Sequence, residues 1–267
     1  MPVSPTAWLY RLYDKRIALG LRPGGRIPRH VGVITDGNRR WAKEFGTTTA
    51  DGHRAGADRI VEFLGWCQEI GVEIVTLYVL SKENLDRAAE EVTVLTAIIS
   101  DMVDQIARKE SVRITLAGDL SVIPEPLRGR LQAAEVLSRE RSAAAAGRAD
   151  GTGSLAVNVA VGYSGRQEIV DAVKSALRDR AGRGESLEEI IESFDEEAIS
   201  EHLYTKGQPD PDLIIRTSGE QRLSGFLVWQ SAYAEFYFCE VYWPGFRRTD
   251  FLRAVRSYAQ RQRRYGK

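Results

Sequence analysis

Five short β-rich runs, at 31–35, 74–80, 113–117, 155–161 and 213–215, alternate with longer stretches of helical periodicity. Parallel strands cannot be joined by a tight turn and need a crossover of a dozen or more residues, usually a helix. The alternation therefore predicts an α/β fold with a central, mostly parallel sheet flanked by helices. The stretch 53–70 is a good helix, with Ala57, Ile60, Val61, Leu64 and Cys67 on one face and Gly71 as its stop. In 90–109, Val92, Leu95, Ile99, Met102 and Ile106 form one stripe, and Val94, Ile98 and Val103 widen it. A helix apolar on more than one side is buried from two directions. It is either a central core helix or one that faces the sheet on one side and a greasy channel on the other. The stretches 143–153, 180–185 and 207–211 read as loops, too short for domain linkers. One domain is expected over 26–267, preceded by an extension over 1–25.

The chain has 267 residues with 37 basic against 37 acidic side chains, so nothing in its charge points to nucleic acid. Any phosphate binding has to come from local arginine clusters. Cys67 and Cys239 lack metal-ligand spacing and read as reduced, mostly buried thiols of a cytoplasmic protein. The first 25 residues lack the apolar core of a signal peptide, and no run approaches the ~20 apolar residues of a membrane span. Within them Trp8, Leu9, Leu12, Tyr13 and Ile17 form a helical stripe with basic residues between. That stripe packs on the protein body or lies peripherally on the inner face of the cell membrane.

Residues 30–43, His-Val-Gly-Val-Ile-Thr-Asp-Gly-Asn-Arg-Arg-Trp-Ala-Lys, run a strand into a polar turn. The carboxyl end of a strand in an α/β sheet opens onto the ligand crevice. Gly37 lets the backbone approach an anion, free amides at the next helix start can cradle it, and Arg39 and Arg40 offer forked donors. Asp36 would repel an anion by itself, which points to a divalent cation between carboxylate and phosphate. A second such place is 211–226, where Arg216 and Arg222 flank Thr217, Ser218 and Gly219, with Ser224 just before an expected helix start. Two arginines and a hydroxyl can satisfy the oxygens of one diphosphate. Between these lies 76–87, a strand ending at Ser81 and then a polar loop with Asn84 and Arg87. Ser81 and Asn84 can bind a diphosphate or relay a proton, or serve as helix caps. The stretch 157–166 reads as scaffold at the sheet edge. In 229–238 Glu235 sits among aromatics on an expected helix and needs a partner, a metal or a nearby arginine.

These five blocks together resemble the signatures of the cis-prenyltransferases, the undecaprenyl diphosphate synthase family, over roughly residues 26–267. The resemblance implies a single α/β domain with a hydrophobic tunnel between two helices and the sheet. It also implies condensation of isopentenyl diphosphate with an allylic diphosphate to form a Z double bond. By the same resemblance Asp36, Asn84 and His53 are catalytic, and Asp36 and Glu235 hold Mg2+. Substrate contacts extend over Gly37, Asn38, Arg39, Arg40, Trp41, His53, Ser81, Lys82, Glu83, Arg87, Arg216, Arg222, Leu223 and Ser224. Arg216, Arg222 and Ser224 are implied to hold isopentenyl diphosphate, and the tail 261–266 resembles the family's tail near a homodimer contact. Leu85, Ala88, Val79-Leu80 and Thr49 depart from the long-chain members and resemble short-chain actinobacterial ones that make (2Z,6E)-farnesyl diphosphate. Val79 and Leu80 are the candidates for setting chain length. Longer products, or an irregular head-to-middle coupling, remain as alternatives. Non-catalytic partner subunits of the family lose the aspartate and substrate arginines, which this chain keeps. The sequence has no Gly-x4-Gly-Lys-Ser/Thr loop, no dinucleotide fingerprint and no Asp-Asp-x-x-Asp helix.

Overall fold

The computed structural model describes residues 27–146 and 154–261. The N-terminal extension, most of the 143–153 loop and the tail 262–267 lie outside the described residues. Among the described residues six strands form one sheet: β1 (His30–Ile34), β2 (Ile74–Ser81), β3 (Val112–Ala117), β4 (Leu155–Tyr163), β5 (Leu213–Arg216) and β6 (Glu235–Phe238). Their spatial order is β3-β4-β2-β1-β5-β6, and every pairing is parallel. The helices are α1 (Asn38–Glu44), α2 (Thr49–Ile70), α3 (Ala89–Ala107), α4 (Glu125–Ala146), α5 (Gly165–Gly182), α6 (Leu187–Ser193), α7 (Glu196–Ser200) and α8 (Arg248–Gln260). Parallel strands covered by crossover helices are buried on both faces, which explains the unbroken burial of β1 and nearly all of β4.

The sheet grows in opposite directions from β1, through β2 toward β3 and through β5 toward β6. That reversal opens a crevice beyond the carboxyl ends of β1 and β5. Asp36 stands just past one of those ends, and Arg216 is the last residue of the other.

The five expected strands form within a residue or two of their predicted bounds. Helix α2 starts four residues before the expected one, because Thr48 and Asp51 close a capping box at its N-terminus. Helix α5 runs on to Gly182, through the start of the expected 180–185 loop. Three expectations need correction. Glu235 opens strand β6 and is not on a helix, since its short aromatic run carries no decisive period and pairing with β5 decides it. Residues 224–232 form a chain of turns, not a helix, with Ser224 and Leu227 at positive φ. Strand β4 lies inside the sheet, and β3 takes the edge.

Strand β2 is irregular near its carboxyl end. Tyr78 pairs with Ala160 and Leu80 with Val161, so Val79 is an extra residue in a β-bulge. Bulges re-aim side chains next to functional sites. Here Tyr78, Val79 and Ser81 all turn toward one cavity, whereas Leu80 is fully buried in the core cluster. Against α2 an aromatic cluster of Phe63, Trp243, Phe246 and Phe251 fills the core; Trp243 also lines the cavity, and its indole donates to the Gly56 carbonyl at 2.8 Å.

At the amino end of the sheet a polar network ties β1, β2 and β4 together. The Pro209 carbonyl only accepts, so His30 Nδ1 donates to it at 2.7 Å, and Nε2 is left to accept from the Thr76 hydroxyl at 2.7 Å. Asn158 Nδ2 donates to the same Thr76 oxygen at 2.9 Å and also to Gln208. Burial pushes the His30 pKa below the ordinary histidine value, against weaker opposing contributions from the Pro209 carbonyl and Asp212. The native state thus prefers neutral His30, and the unfolded chain binds the proton first as pH falls. This stability is complete above the ordinary histidine pKa of about 6.5 and is lost on acidification below it. Urea unfolding midpoints should fall between pH 7.5 and 5.5, and His30→Gln should flatten that fall; equal slopes for the two proteins would refute the assignment.

Candidate active site

The crevice continues into a cavity of about 750 Å³. Its mouth carries Asp36, Gly37, Asn38, Arg39, Arg40, Ser81, Glu83, Asn84, Arg87, Arg216, Arg222 and Ser224. Its other end is apolar, lined by Ala57 and Ile60 of α2, Val79 of β2, and Leu95, Ile98, Ile99 and Met102 of α3. Helix α3 thus buries Val103 and Ile106 in the core and turns another side to the cavity, as the wide apolar stripe allowed. Five arginines face Asp36 and Glu83 at the mouth, so the mouth is cationic.

Asp36 is the centre of that mouth. Its backbone is strapped to β5, with Thr217 Oγ1 donating to the Asp36 carbonyl at 2.7 Å and accepting from its amide at 3.0 Å. Its carboxylate pairs with Arg216 Nη2 at 3.0 Å and with Arg40 Nη2 at 3.2 Å. Burial acts to raise the Asp36 pKa. Hydrogen bonds from Arg216 and Ser218, with the charges of Arg40 and Arg216, outweigh burial and hold it below the ordinary value. Gly37 follows at φ 105, and a Cβ there would lie 2.7 Å from the Tyr242 ring, so only glycine fits this start of α1.

Two sets of donors flank Asp36. On one side Arg39 and Arg40 project from α1, and Arg40 also donates to Ser218 Oγ at 2.7 Å and Glu220 at 3.1 Å. On the other, Arg216 is almost fully buried, and its Nη1 donates to Ser224 Oγ at 2.9 Å and to the Arg222 carbonyl. Its Nε has no partner, a free donor on a buried cation. The exposed Arg222 side chain pairs with Glu220, so Glu220 bridges the arginines of the two sets.

His53 lies opposite, buried on α2. Burial first, and the charges of Arg87 and Arg39 second, lower its pKa, so the ring is neutral near pH 7. Its Nε2 stands 3.9 Å from Glu91, beyond hydrogen-bond reach, and has no partner. Ser81 caps the 3-10 turn Lys82–Asp86, accepting from the Asn84 amide at 3.3 Å and from Asn84 Nδ2 at 2.9 Å. Asn84 Oδ1 accepts from Arg87, which also pairs with Glu91 at 3.0 Å. Ser81 is therefore a cap that also lines the cavity.

Not every expected residue reaches the cavity. Trp41 packs at a tilt on Phe45, Lys82 points to Asp119, and Leu223 packs on the smaller apolar cluster. Leu80 faces the core. Glu235 pairs with Arg261 at 2.6 Å. In register it aligns with Leu213 and through it with Val31, five residues before Asp36 along the strand direction. At about 3.3 Å per residue the two carboxylates of one chain lie well apart. Tyr78, Ser218 and Glu220 are part of the site and were missed as site residues. Tyr78 left a signal as the residue just before Val79, and Ser218 as part of the turn between Arg216 and Arg222.

Residues 34–266 match the undecaprenyl diphosphate synthase family of prenyltransferases. The chain is 52% identical to the (2Z,6E)-farnesyl diphosphate synthase of Thermobifida fusca, over 97% of each chain. It is 50% identical to isoprenyl transferase 1 of Streptomyces avermitilis over 97% of this chain and 96% of that one, and 50% identical to the short-chain Z-isoprenyl diphosphate synthase of Mycobacterium bovis over the same shares. Among solved structures it resembles lavandulyl diphosphate synthase of Lavandula x intermedia in complex with dimethylallyl diphosphate. That match has a TM-score of 0.79 and 32% identity, and covers 90% of this chain and 99% of that one. The parallel sheet and the cationic mouth on an apolar cavity thus define a prenyl-transferring enzyme. The chain belongs to the undecaprenyl diphosphate synthase family, whose members generally use Mg2+.

Proposed function

We propose that this chain condenses isopentenyl diphosphate with an allylic diphosphate, geranyl diphosphate first among them, to a short Z-prenyl diphosphate such as (2Z,6E)-farnesyl diphosphate. The observation that carries this reading is the pair of arginine-bearing donor sets meeting at Asp36, on a cavity whose far end is apolar. Two diphosphates need two cationic cradles side by side, and the hydrocarbon tail needs a dry place to go. The relatives' names supply the substrate class and the short product. The plant neighbour, an enzyme named for lavandulyl diphosphate, supports the irregular coupling as the second reading. Incubation with labelled isopentenyl diphosphate and geranyl diphosphate, followed by chromatography of the dephosphorylated products, tests both readings.

In this reading the Gly37–Arg40 turn, Arg39 and Arg40 take the allylic diphosphate. Arg216, Arg222 and Ser224 take isopentenyl diphosphate, and the five-carbon units already joined lie among Val79, Ile98, Ile99 and Met102. The neutral His53 ring offers Nε2 to a phosphate or to the departing proton. Asn84 shares that task once a substrate phosphate draws Arg87 away from its Oδ1. The donors at the mouth fit a substrate-bridged Mg2+, because that ion commonly takes one or two carboxylates and completes its shell with substrate phosphates and water. Asp36 is such a carboxylate; among the described residues no three His, Cys, Asp or Glu side chains could form an all-protein metal site. Asp36 would hold the ion there, and its charge would offset that of the leaving diphosphate. Glu235 of the same chain stands away from Asp36, so its share in such an ion needs a second copy of the chain.

A homodimer is part of the proposal. Among the described residues strand β6 is an open sheet edge, with Phe236 and Phe238 stacked at 6.2 Å, and Tyr233 beside it is 76% exposed. Open apolar edges are normally covered. No helix of the described residues is long and apolar enough to cross a membrane; peripheral membrane contact stays with the N-terminal stripe, outside them.

Three outcomes are expected. Asp36→Ala should lower turnover by on the order of 10²–10³ while circular dichroism stays native, with Asp36→Asn as the shape-preserving control; a folded variant of near-normal rate would remove Asp36 from the chemistry. Val79→Ala should lengthen the product, because Val79 narrows the cavity, whereas Leu80→Ala should leave length unchanged and cost about 2–4 kcal/mol in urea unfolding, as for a fully buried leucine. Reversed roles, read by product chromatography, would place the wrong residue at the cavity wall. Light scattering at micromolar concentration should give twice the 29.8 kDa chain mass, and the mass of one chain would refute the dimer.

A further inference from the structure

The loop bearing the second arginine set has a costly backbone. Ser218, Ser224 and Leu227 have φ of 76°, 49° and 45°. A bulky side chain such as leucine in the left-handed region is an outlier that persists only where its surroundings over-determine it. At Leu227 those surroundings can be traced. Its amide donates to the Tyr163 hydroxyl at 3.2 Å, and that hydroxyl donates to Glu168. Tyr163 and Glu168 are 0% and 1% exposed. The same carboxylate accepts from Gln230 Nε2 at 3.0 Å and from the Tyr204 amide at 2.9 Å. One buried carboxylate therefore fastens the turn region at two places, at Leu227 through Tyr163 and at Gln230 directly. Upstream, the Gly165 amide donates to the Gly225 carbonyl at 2.9 Å, and a Cβ on Gly165 would meet that oxygen at 2.4 Å. Neither Tyr163, Glu168 nor Gln230 lines the cavity.

We propose that Tyr163 and Glu168 are positioning residues for isopentenyl diphosphate: they hold residues 224–230 in the strained form that sets Ser224 and the Arg222 carbonyl against Arg216. The inference rests on the reading of Arg216, Arg222 and Ser224 as the isopentenyl diphosphate site. Without the Tyr163 hydroxyl, the Leu227 amide and a Glu168 oxygen are both unpaired in a buried place, and Leu227 can relax to an ordinary φ. Ser224 lies three residues upstream and moves with it. Isopentenyl diphosphate then has to order the loop as it binds, which weakens binding. The allylic site is built on β1 and α1, and the loop partners of its Arg40, Ser218 and Glu220, lie outside residues 224–230.

Tyr163→Phe removes the hydroxyl and keeps the ring. It should raise the KM for isopentenyl diphosphate about tenfold, the scale of one lost buried hydrogen bond. The KM for the allylic substrate should stay within about twofold, and kcat at saturation near that of the parent enzyme, since a positioning defect is relieved when ligand orders the loop. Calorimetric titration of isopentenyl diphosphate should show the same weakening. Glu168→Gln keeps the side-chain volume but leaves a single acceptor oxygen, and carries the same test should Tyr163→Phe not accumulate as folded protein. Arg222→Ala in the same assay is the reference for the site. If Arg222→Ala raises the isopentenyl KM alone and the folded Tyr163 and Glu168 variants do not, the positioning role is overturned and the site reading stands. If both KM values rise together in those variants, or kcat falls with KM unmoved, the role is likewise overturned. If Arg222→Ala itself is not selective, the site reading fails and this inference fails with it.

Discussion

The pair between Arg216 and Asp36 holds the site together. A guanidinium nearly sealed from solvent is costly, and both of its terminal nitrogens are engaged here. Asp36 takes one of them, and Ser224 and the Arg222 carbonyl take another. The pair joins residues 180 positions apart, at the ends of two strands made adjacent by the reversal of strand order. It therefore fixes the relative position of the two donor sets, and the same arginines favour the charged form of Asp36 against its burial.

The cationic mouth also contains its own counter-charges. Arg40 and Arg222 meet on Glu220, and Arg87 and Arg39 approach Glu91. Clustered guanidinium groups repel one another, and these carboxylates offset that repulsion. Glu220 is the more consequential of the two, because it touches an arginine from each donor set. The Glu220 pairs are partly exposed, and such pairs contribute little to stability.

The apolar end depends on a local irregularity. A regular β2 would send Tyr78 and Leu80 to one face and Val79 to the other. The bulge at Val79 brings Tyr78, Val79 and Ser81 to the cavity and leaves Leu80 in the core. Tyr78 then stacks on Phe226 at 4.9 Å and donates to the Ser224 carbonyl at 3.1 Å. The wall of the cavity and the loop of the second donor set are thus braced by the same residue.

Much of this was legible in the sequence. Alternating β-rich and helical runs determined a parallel α/β sheet, because such strands have no other way to be joined. The Asp-Gly-Asn-Arg-Arg turn and the Arg-x5-Arg block marked the two donor sets, because forked cations beside a permissive glycine are local chemistry. The breadth of the apolar stripe on 90–109 foretold a helix with two covered sides. The tertiary structure alone decided what depends on distant partners. Pairing with β5 turned the aromatic run at Glu235 into a strand and set that carboxylate away from Asp36. A bulge that needs β4 as its ruler separated Val79 from Leu80. The turns at 224–232, where sequence pattern suggested a helix, are held by Tyr163 and Glu168, more than fifty residues upstream. Local pattern reports local preference, and each of these features is fixed by contacts between segments remote in the chain.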